Sequence, residues 1–147
     1  MYLVSACLAG VNCRYNGGNS KHKTICELVK EGKAIPICPE QLSGLPTPRA
    51  CCEIIIDESG NKKIMSEGGQ DFTKEFIEGA EKTLEIARII GVEEAILQSR
   101  SPSCGYGCIY DGTFSGNFKE GYGFTAELLA KNGIEVYTEN DLDKLEL

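Results

Sequence analysis

The stretch AILQSRSPSCG, residues 95–105, joins an apolar run to a rigid turn that ends in a thiol. Residues 95–97 have the composition of a buried strand. Pro102 then fixes one backbone angle and Gly105 frees another, so the turn can hold the Cys104 sulfur beside amide and hydroxyl donors. A thiol placed at the end of a strand in this way is typical of a metal ligand or a nucleophile.

Two further cysteines stand in the same relation to an apolar run. Cys7 follows residues 3–6, and Cys38 follows residues 34–37. Ligands bind at the carboxyl ends of parallel strands in open α/β sheets. We therefore expect Cys7, Cys38 and Cys104 to share one crevice.

The rest of the chain alternates strands with helices. Asp71 is the expected N-cap of the strongest helix, over 72–90, because its side chain can accept a backbone amide. The pattern predicts strands at 2–6, 34–37, 95–98 and 134–137, further helices at 23–31 and 126–132, and a hairpin at 53–57 and 62–65. This alternation predicts an α/β fold: a small three-layer, Rossmann-like domain with a mostly parallel sheet and a peripheral β-hairpin.

Three segments lack a regular pattern. Residues 7–20 and 99–123 are rich in glycine, and residues 38–49 contain three prolines that should forbid a continuous helix. Long loops in compact domains are usually functional, and each of these contains one of the three thiols. The pattern places the functional site where they meet.

Composition limits the class of protein. A length of 147 residues predicts one domain over 1–147, and the net charge of −7 argues against duplex DNA as a partner. The first residues resemble neither a signal peptide nor a membrane span, so we expect a cytoplasmic protein. Eight cysteines in a reducing compartment favour metal or redox chemistry over disulfides.

The other cysteines leave several alternatives open. Cys26 lies on a predicted helix among apolar residues, which favours simple packing. Cys13 is compatible with a nearby thiol, a fourth ligand or a buried filler. Cys51 and Cys52 adjoin a predicted strand, so at most one should turn toward the site. Cys108 is a candidate resolving thiol beside Cys104.

Polar residues near the three thiols suggest catalytic roles. Glu40 lies two residues after Cys38 in a stiff loop and is the candidate general acid-base, with a helix N-cap or a surface carboxylate as the alternatives. The hydroxyls of Ser101 and Ser103 either close the Pro102 turn or donate to a substrate. Arg49 either binds an anionic group or caps a carbonyl.

Six motifs together resemble the thiouracil desulfidase family over nearly the whole chain. They are VSACLAG at 4–10, CRYNG at 13–17, CPE at 38–40, GLPTPR at 44–49, SPSCG at 101–105 and IYDGTFSG at 109–116. The resemblance implies a 4Fe-4S cluster held by Cys7, Cys38 and Cys104 with one iron open to sulfur. It further implies that Glu40 transfers protons and that Ser103, or less directly Ser101, orients the substrate.

The resemblance also implies an activity. We expect non-redox cleavage of the carbon-sulfur bond of a thiolated pyrimidine such as 2-thiouracil, giving the oxygenated base and sulfide. The open iron would act as Lewis acid and Glu40 would activate water. The substrate is a free base, a nucleoside or a thiolated uridine within RNA. Alternatives are a non-catalytic sulfide carrier on the same cluster and a zinc-binding interaction module.

Overall fold

The computed structural model describes residues 1–145 and 147. The strands are β1 (Tyr2–Ser5), β2 (Ala34–Ile37), β3 (Cys52–Ile56), β4 (Lys62–Ser66), β5 (Glu94–Leu97), β6 (Tyr106–Tyr110), β7 (Phe118–Tyr122) and β8 (Glu135–Thr138). The α-helices are α1 (Lys23–Lys30), α2 (Pro39–Leu42), α3 (Thr73–Ile90) and α4 (Phe124–Lys131). Two 3-10 helices cover Ala6–Ala9 and Glu139–Lys144.

Four strands form a parallel sheet in the order β2-β1-β5-β8. These strands read as short apolar runs because both faces of the sheet are covered by helices. Strand β1 lies between β2 and β5, so the carboxyl ends of these three strands are neighbours. The order thereby brings together the segments that follow them.

Helices pack on both faces of this sheet. Successive strand residues point to opposite sides, so Leu3 packs in the cluster that includes Leu84 of α3 and Leu129 of α4. Val4 packs in the other cluster, with Ile25 of α1. The predicted three-layer α/β architecture is confirmed.

Two antiparallel hairpins lie outside the parallel sheet. The β3-β4 hairpin agrees with the prediction from sequence. The β6-β7 hairpin was not predicted, because residues 99–123 were expected to be irregular. Ile54 and Ile64 of the first hairpin and Ile109 of the second share one buried cluster with Phe76 of α3. This cluster fixes both hairpins against the longest helix.

The helix starts differ in detail from the sequence prediction. Helix α3 begins at Thr73 with Phe72 in the capping position, although Asp71 Oδ1 does accept from Thr73 N at 2.8 Å. The proline-rich segment after β2 contains the single helical turn α2, which we had not expected. Pro39 occupies its first position, where the backbone N–H that proline lacks would have no partner within the helix.

Within the described part of the chain, no helix combines the length and the apolar character that crossing a bilayer requires.

Candidate functional site

Four thiols line one small cavity at the carboxyl edge of the sheet. Cys7 lies in the 3-10 helix that follows β1, and Cys38 directly follows β2. Cys104 closes the turn after β5, and Cys13 reaches the cavity from the loop after the 3-10 helix. All four are free cysteines. The structure thus brings together the three thiols singled out from sequence and adds a fourth.

Three of these thiols, those of Cys13, Cys38 and Cys104, have surroundings that raise the pKa and favour the neutral form. A hydrogen bond with Cys13, burial and the charge of Glu40 raise the pKa of Cys38. For Cys13 the bond with Cys38 lowers the pKa, but the bond with Cys7, burial and nearby charges outweigh it and the pKa is raised. For Cys104, burial is the largest cause of a raised pKa, and the charge of Glu40 raises it further. Because metals bind the thiolate form of cysteine, binding a metal here would release protons.

The turn that carries Cys104 is held by its two serines in different ways. Ser101 Oγ accepts from the backbone nitrogens of Ser103 at 3.0 Å and Cys104 at 2.9 Å. Ser103 is 1% exposed, and its hydroxyl hydrogen-bonds Thr125 Oγ1 at 2.9 Å and also reaches the Cys104 thiol. Ser101 lines the cavity, so of the two serines it is the one that faces open space.

Glu40 is held by an ion pair with Arg49. Arg49 Nη2 lies 2.5 Å from Glu40 Oε2, and the side chains are only 7% and 17% exposed, respectively. The same nitrogen donates to the Cys13 carbonyl at 2.8 Å, while Nη1 donates to Thr47 Oγ1 at 3.1 Å. Arg49 therefore binds an anionic group and caps a carbonyl, which combines the two alternatives left by the sequence.

A larger cavity of about 380 Å³ adjoins the thiols. Four residues line both cavities: Arg14, Glu40, Gln98 and Ser101. The volume lies within the range of small-molecule sites. Its wall contains the aromatic rings of Tyr15 and Tyr110, which offer flat apolar surfaces. The arrangement therefore joins a soft-donor site to a space that fits a small aromatic ligand.

Gln98 is a site residue that the sequence analysis missed. Its Oε1 accepts from the Cys7 thiol at 3.3 Å, and its Nε2 donates to Ser20 Oγ at 3.0 Å. Its position directly after β5 was the available signal, because polar residues at the carboxyl ends of central strands face the ligand crevice.

The remaining cysteines lie at different distances from this centre. Cys51 and Cys52 both line the larger cavity, but neither is among the described residues that line the thiol cavity, which agrees with the expectation that at most one turns toward the three thiols. Strand alternation does not constrain Cys51, because β3 begins only at Cys52. Cys108 is exposed on β6. Cys26 is half-buried, and its sulfur lies 3.8 Å from the Leu8 carbonyl oxygen.

A family model for 2-thiouracil desulfurase matches residues 2–141. The chain belongs to this family. The uncharacterized protein YbbK of Bacillus subtilis strain 168 is 46% identical to this 2-thiouracil desulfurase family member over 150 residues, which cover 99% of each chain. A solved structure of the 4Fe-4S-dependent thiouracil desulfidase TudS matches with a TM-score of 0.89 and 40% identity, covering 98% of this chain and 93% of that one. The resemblance inferred from the motifs is confirmed.

The donor set fits an iron-sulfur cluster. Cysteine sulfur is the ligand type that holds such clusters, and here four thiols from three segments of the chain line one cavity. Among residues 1–145 and 147, no three His, Cys, Asp or Glu side chains converge as they would on a single metal ion. The four sulfurs that line one cavity are the feature that fits the cluster.

Proposed function

We propose that this chain is an iron-sulfur desulfidase that converts the thiocarbonyl of a thiolated pyrimidine to a carbonyl and releases sulfide. Cys7, Cys38 and Cys104 would hold a 4Fe-4S cluster at the carboxyl edge of the sheet. The observation that carries the proposal is the position of Glu40, which lines both the thiol cavity and the larger cavity. A carboxylate there can reach a substrate bound in one space and activated from the other.

The cluster and the side chains near it would have separate roles in the reaction. When bound, the cluster supplies an iron not held by these three thiols, which can coordinate a thiocarbonyl sulfur and polarise its carbon as a Lewis acid. Arg49 binds Oε2 of Glu40, and we assign Oε1 to the proton transfer. That oxygen would take one proton from water as the water attacks the carbon, and would return it to the departing sulfur. The hydroxyl left on the carbon would lose its proton to solvent as the carbonyl forms. The overall change exchanges sulfur for oxygen with one water consumed and no electrons transferred.

Neighbouring side chains position the substrate. The rings of Tyr15 and Tyr110 line the larger cavity and would stack on a pyrimidine. Ser101 faces the same space and would donate to the ring, whereas buried Ser103 would support the Cys104 sulfur. We extend the proposal to a free base or a nucleoside as substrate and to residues 1–147 as one cluster-binding domain. Because all eight cysteines are free thiols, we place the protein in the cytoplasm.

The decisive experiment compares wild type with Glu40→Gln after anaerobic cluster reconstitution. The amide keeps the size of the side chain and an oxygen that can accept from Arg49, but it cannot serve as a base. We expect a full cluster spectrum and a rate of sulfide release from 2-thiouracil lowered about a hundred-fold to ten-thousand-fold. Glu58→Gln, on an exposed turn of the first hairpin, is the matched control and should keep the wild-type rate.

Each alternative gives a different result. Cluster-loaded Glu40→Gln working at the wild-type rate would remove Glu40 from the mechanism. A wild-type protein that is brown and binds sulfide without releasing any from 2-thiouracil would be a carrier. A colourless protein that contains zinc after anaerobic purification would be an interaction module.

A further inference from the structure

We propose that the carboxylate of Glu139 determines substrate specificity by accepting a ring N–H that lies beside the thiocarbonyl of the substrate. The inference rests on the proposed function and deepens it, because it names a group that the substrate must carry. Glu139 has no part in the reaction described above. Its role is to distinguish a ring with a free N–H from a ring in which that nitrogen is substituted.

The sheet places Glu139 at the same edge as the thiols. Strand β8 pairs with β5 in parallel, and Thr138, the last residue of β8, is the partner of Leu97, the last residue of β5. Gln98 and Glu139 therefore leave the sheet next to each other. Ligands bind at the carboxyl ends of parallel strands, and the end of β8 adds a carboxylate to that edge. Glu139 accordingly lines the larger cavity, together with Gln98.

One neighbouring residue fixes this carboxylate and leaves an acceptor position open. Ser99 donates from its backbone nitrogen to Oε2 of Glu139 at 2.9 Å and from its hydroxyl to Oε1 at 2.5 Å. Each oxygen of a carboxylate can accept two hydrogen bonds, so Oε2 can accept one more. In the part of the chain that the structure describes, none of the ion pairs involves Glu139. The carboxylate thus combines a charge that no cation pairs with room for a second donor.

The usual role of a carboxylate at the start of a helix belongs to a different residue. Glu139 begins the second 3-10 helix, but Asp141 forms the capping box with Thr138. The Glu139 side chain instead turns back to Ser99, directly before Arg100, whose φ of 69° is uncommon for a residue other than glycine. Holding this turn is a structural task, and any test must separate it from contact with the substrate.

Glu139 is the carboxylate of the larger cavity that is left to bind the ring. Glu40 is paired with Arg49 and is assigned to proton transfer. Glu53 accepts from two backbone nitrogens of the loop that joins the strands of the second hairpin. Both ring nitrogens beside the thiocarbonyl of 2-thiouracil carry a hydrogen, and a charged acceptor forms the stronger kind of hydrogen bond with such a donor.

Methylated substrates test the contact. Cluster-loaded wild type, Glu139→Gln and the control Glu93→Gln are compared on 2-thiouracil and on its 1-methyl and 3-methyl derivatives. We expect wild type to prefer 2-thiouracil over at least one derivative by about ten-fold to a hundred-fold in kcat/KM, which corresponds to a hydrogen bond with a charged group. Gln keeps an oxygen for the Ser99 backbone nitrogen but removes the charge and one acceptor oxygen, so this preference should disappear. Glu93 is exposed at the amino end of β5, and Glu93→Gln should keep the wild-type preference.

Two further measurements separate substrate contact from support of the turn. Ser99→Ala removes the hydroxyl bond to Oε1 but leaves the carboxylate, so any loss of rate should be equal for the substrates and the preference should remain. Uracil has the same ring N–H groups and no sulfur, and calorimetry with the cluster-loaded protein measures its binding apart from turnover. Its Kd should rise about ten-fold to a hundred-fold in Glu139→Gln, and the Kd of the matching methylated uracil should not change.

Two results would overturn the inference. Wild type that desulfurates all three substrates equally well shows that no ring N–H is recognised. A preference that persists in Glu139→Gln, as it would if the methyl group only clashed with the cavity wall, assigns the preference to another group and leaves the proposed function intact. Failure of cluster-loaded wild type to release sulfide from 2-thiouracil is a separate outcome, which rejects the proposed function and the inference together.

Discussion

Gly79 of α3 lies against the turn that carries Cys38 and Glu40, and replacing it with alanine should disturb both. An ideal Cβ at this position would lie 2.3 Å from the carbonyl oxygen of Pro39 and 2.9 Å from its carbon. Real Cβ contacts essentially never fall below 3.0 Å, so Gly79→Ala requires a shift of at least 0.7 Å, the difference between 3.0 and 2.3 Å. Backbone atoms on both sides leave no flexible side chain to absorb it.

Two opposing effects set the expected stability. Alanine in place of a helical glycine contributes about 0.5–1 kcal/mol, and overpacking a close contact costs about 1–3 kcal/mol. The clash should win, with a net loss of about 1–2 kcal/mol in the free energy of unfolding. Since a misplacement of about 1 Å can lower a rate about a hundred-fold, turnover should fall about ten-fold to a hundred-fold.

Urea unfolding of the apoprotein measures the first effect, and sulfide release per cluster measures the second. Gly68→Ala is the matched control, because a Cβ there would meet only Ser66 Oγ, at 3.8 Å. Gly79→Ala with wild-type stability and wild-type turnover would refute the argument that this contact sets the position of Cys38 and Glu40.

Two further predictions concern stability away from the thiols. Glu53 is 5% exposed and accepts from the backbone nitrogens of Gly112 at 2.9 Å and Phe114 at 3.2 Å. Glu53→Ala should therefore lower the free energy of unfolding by about 1–3 kcal/mol. A loss below about 0.5 kcal/mol, measured by urea unfolding, would contradict this role. The backbone N–H of Thr138 holds the pKa of Asp141 in the folded protein below its usual value. The stability that this carboxylate contributes is therefore fully present above its pKa in the unfolded chain, and it is lost as the pH falls through its pKa in the folded protein. Asp141→Asn should therefore flatten the acid limb of the stability curve below about pH 4, and an unchanged limb would argue against the cap.

The parallel sheet was predictable because its strands are apolar runs that depend little on distant contacts. The β6-β7 hairpin was not, since its glycines hide the strand pattern. Gly121 is required where the Ile109 side chain crosses the facing strand, because a Cβ there would lie 2.7 Å from Ile109 Cδ1. The pairing is held by rings, with Tyr106 and Tyr122 centred 5.0 Å apart across the strands. Such contacts appear only once the register is known.

The site shows the same division. Cys7, Cys38 and Cys104 could be grouped from sequence because each follows an apolar strand. Cys13 could not be ranked, since it lies in a loop without periodicity and its position depends on a distant guanidinium, that of Arg49. Gln98 was likewise missed because its bond to Cys7 joins two loops far apart in sequence.

The central place of β1 in the sheet has a consequence for the order of assembly. The thiols after β2, β1 and β5 are widely separated along the chain and become neighbours only when these strands pair. Bringing them together in an unfolded chain carries the entropy of closing long loops. Strand pairing therefore supplies the proximity that any cluster would need in order to bind all three thiols. A cluster bound only by this folded state then stabilises it by mass action, so maturation and resistance to unfolding are linked through a single strand.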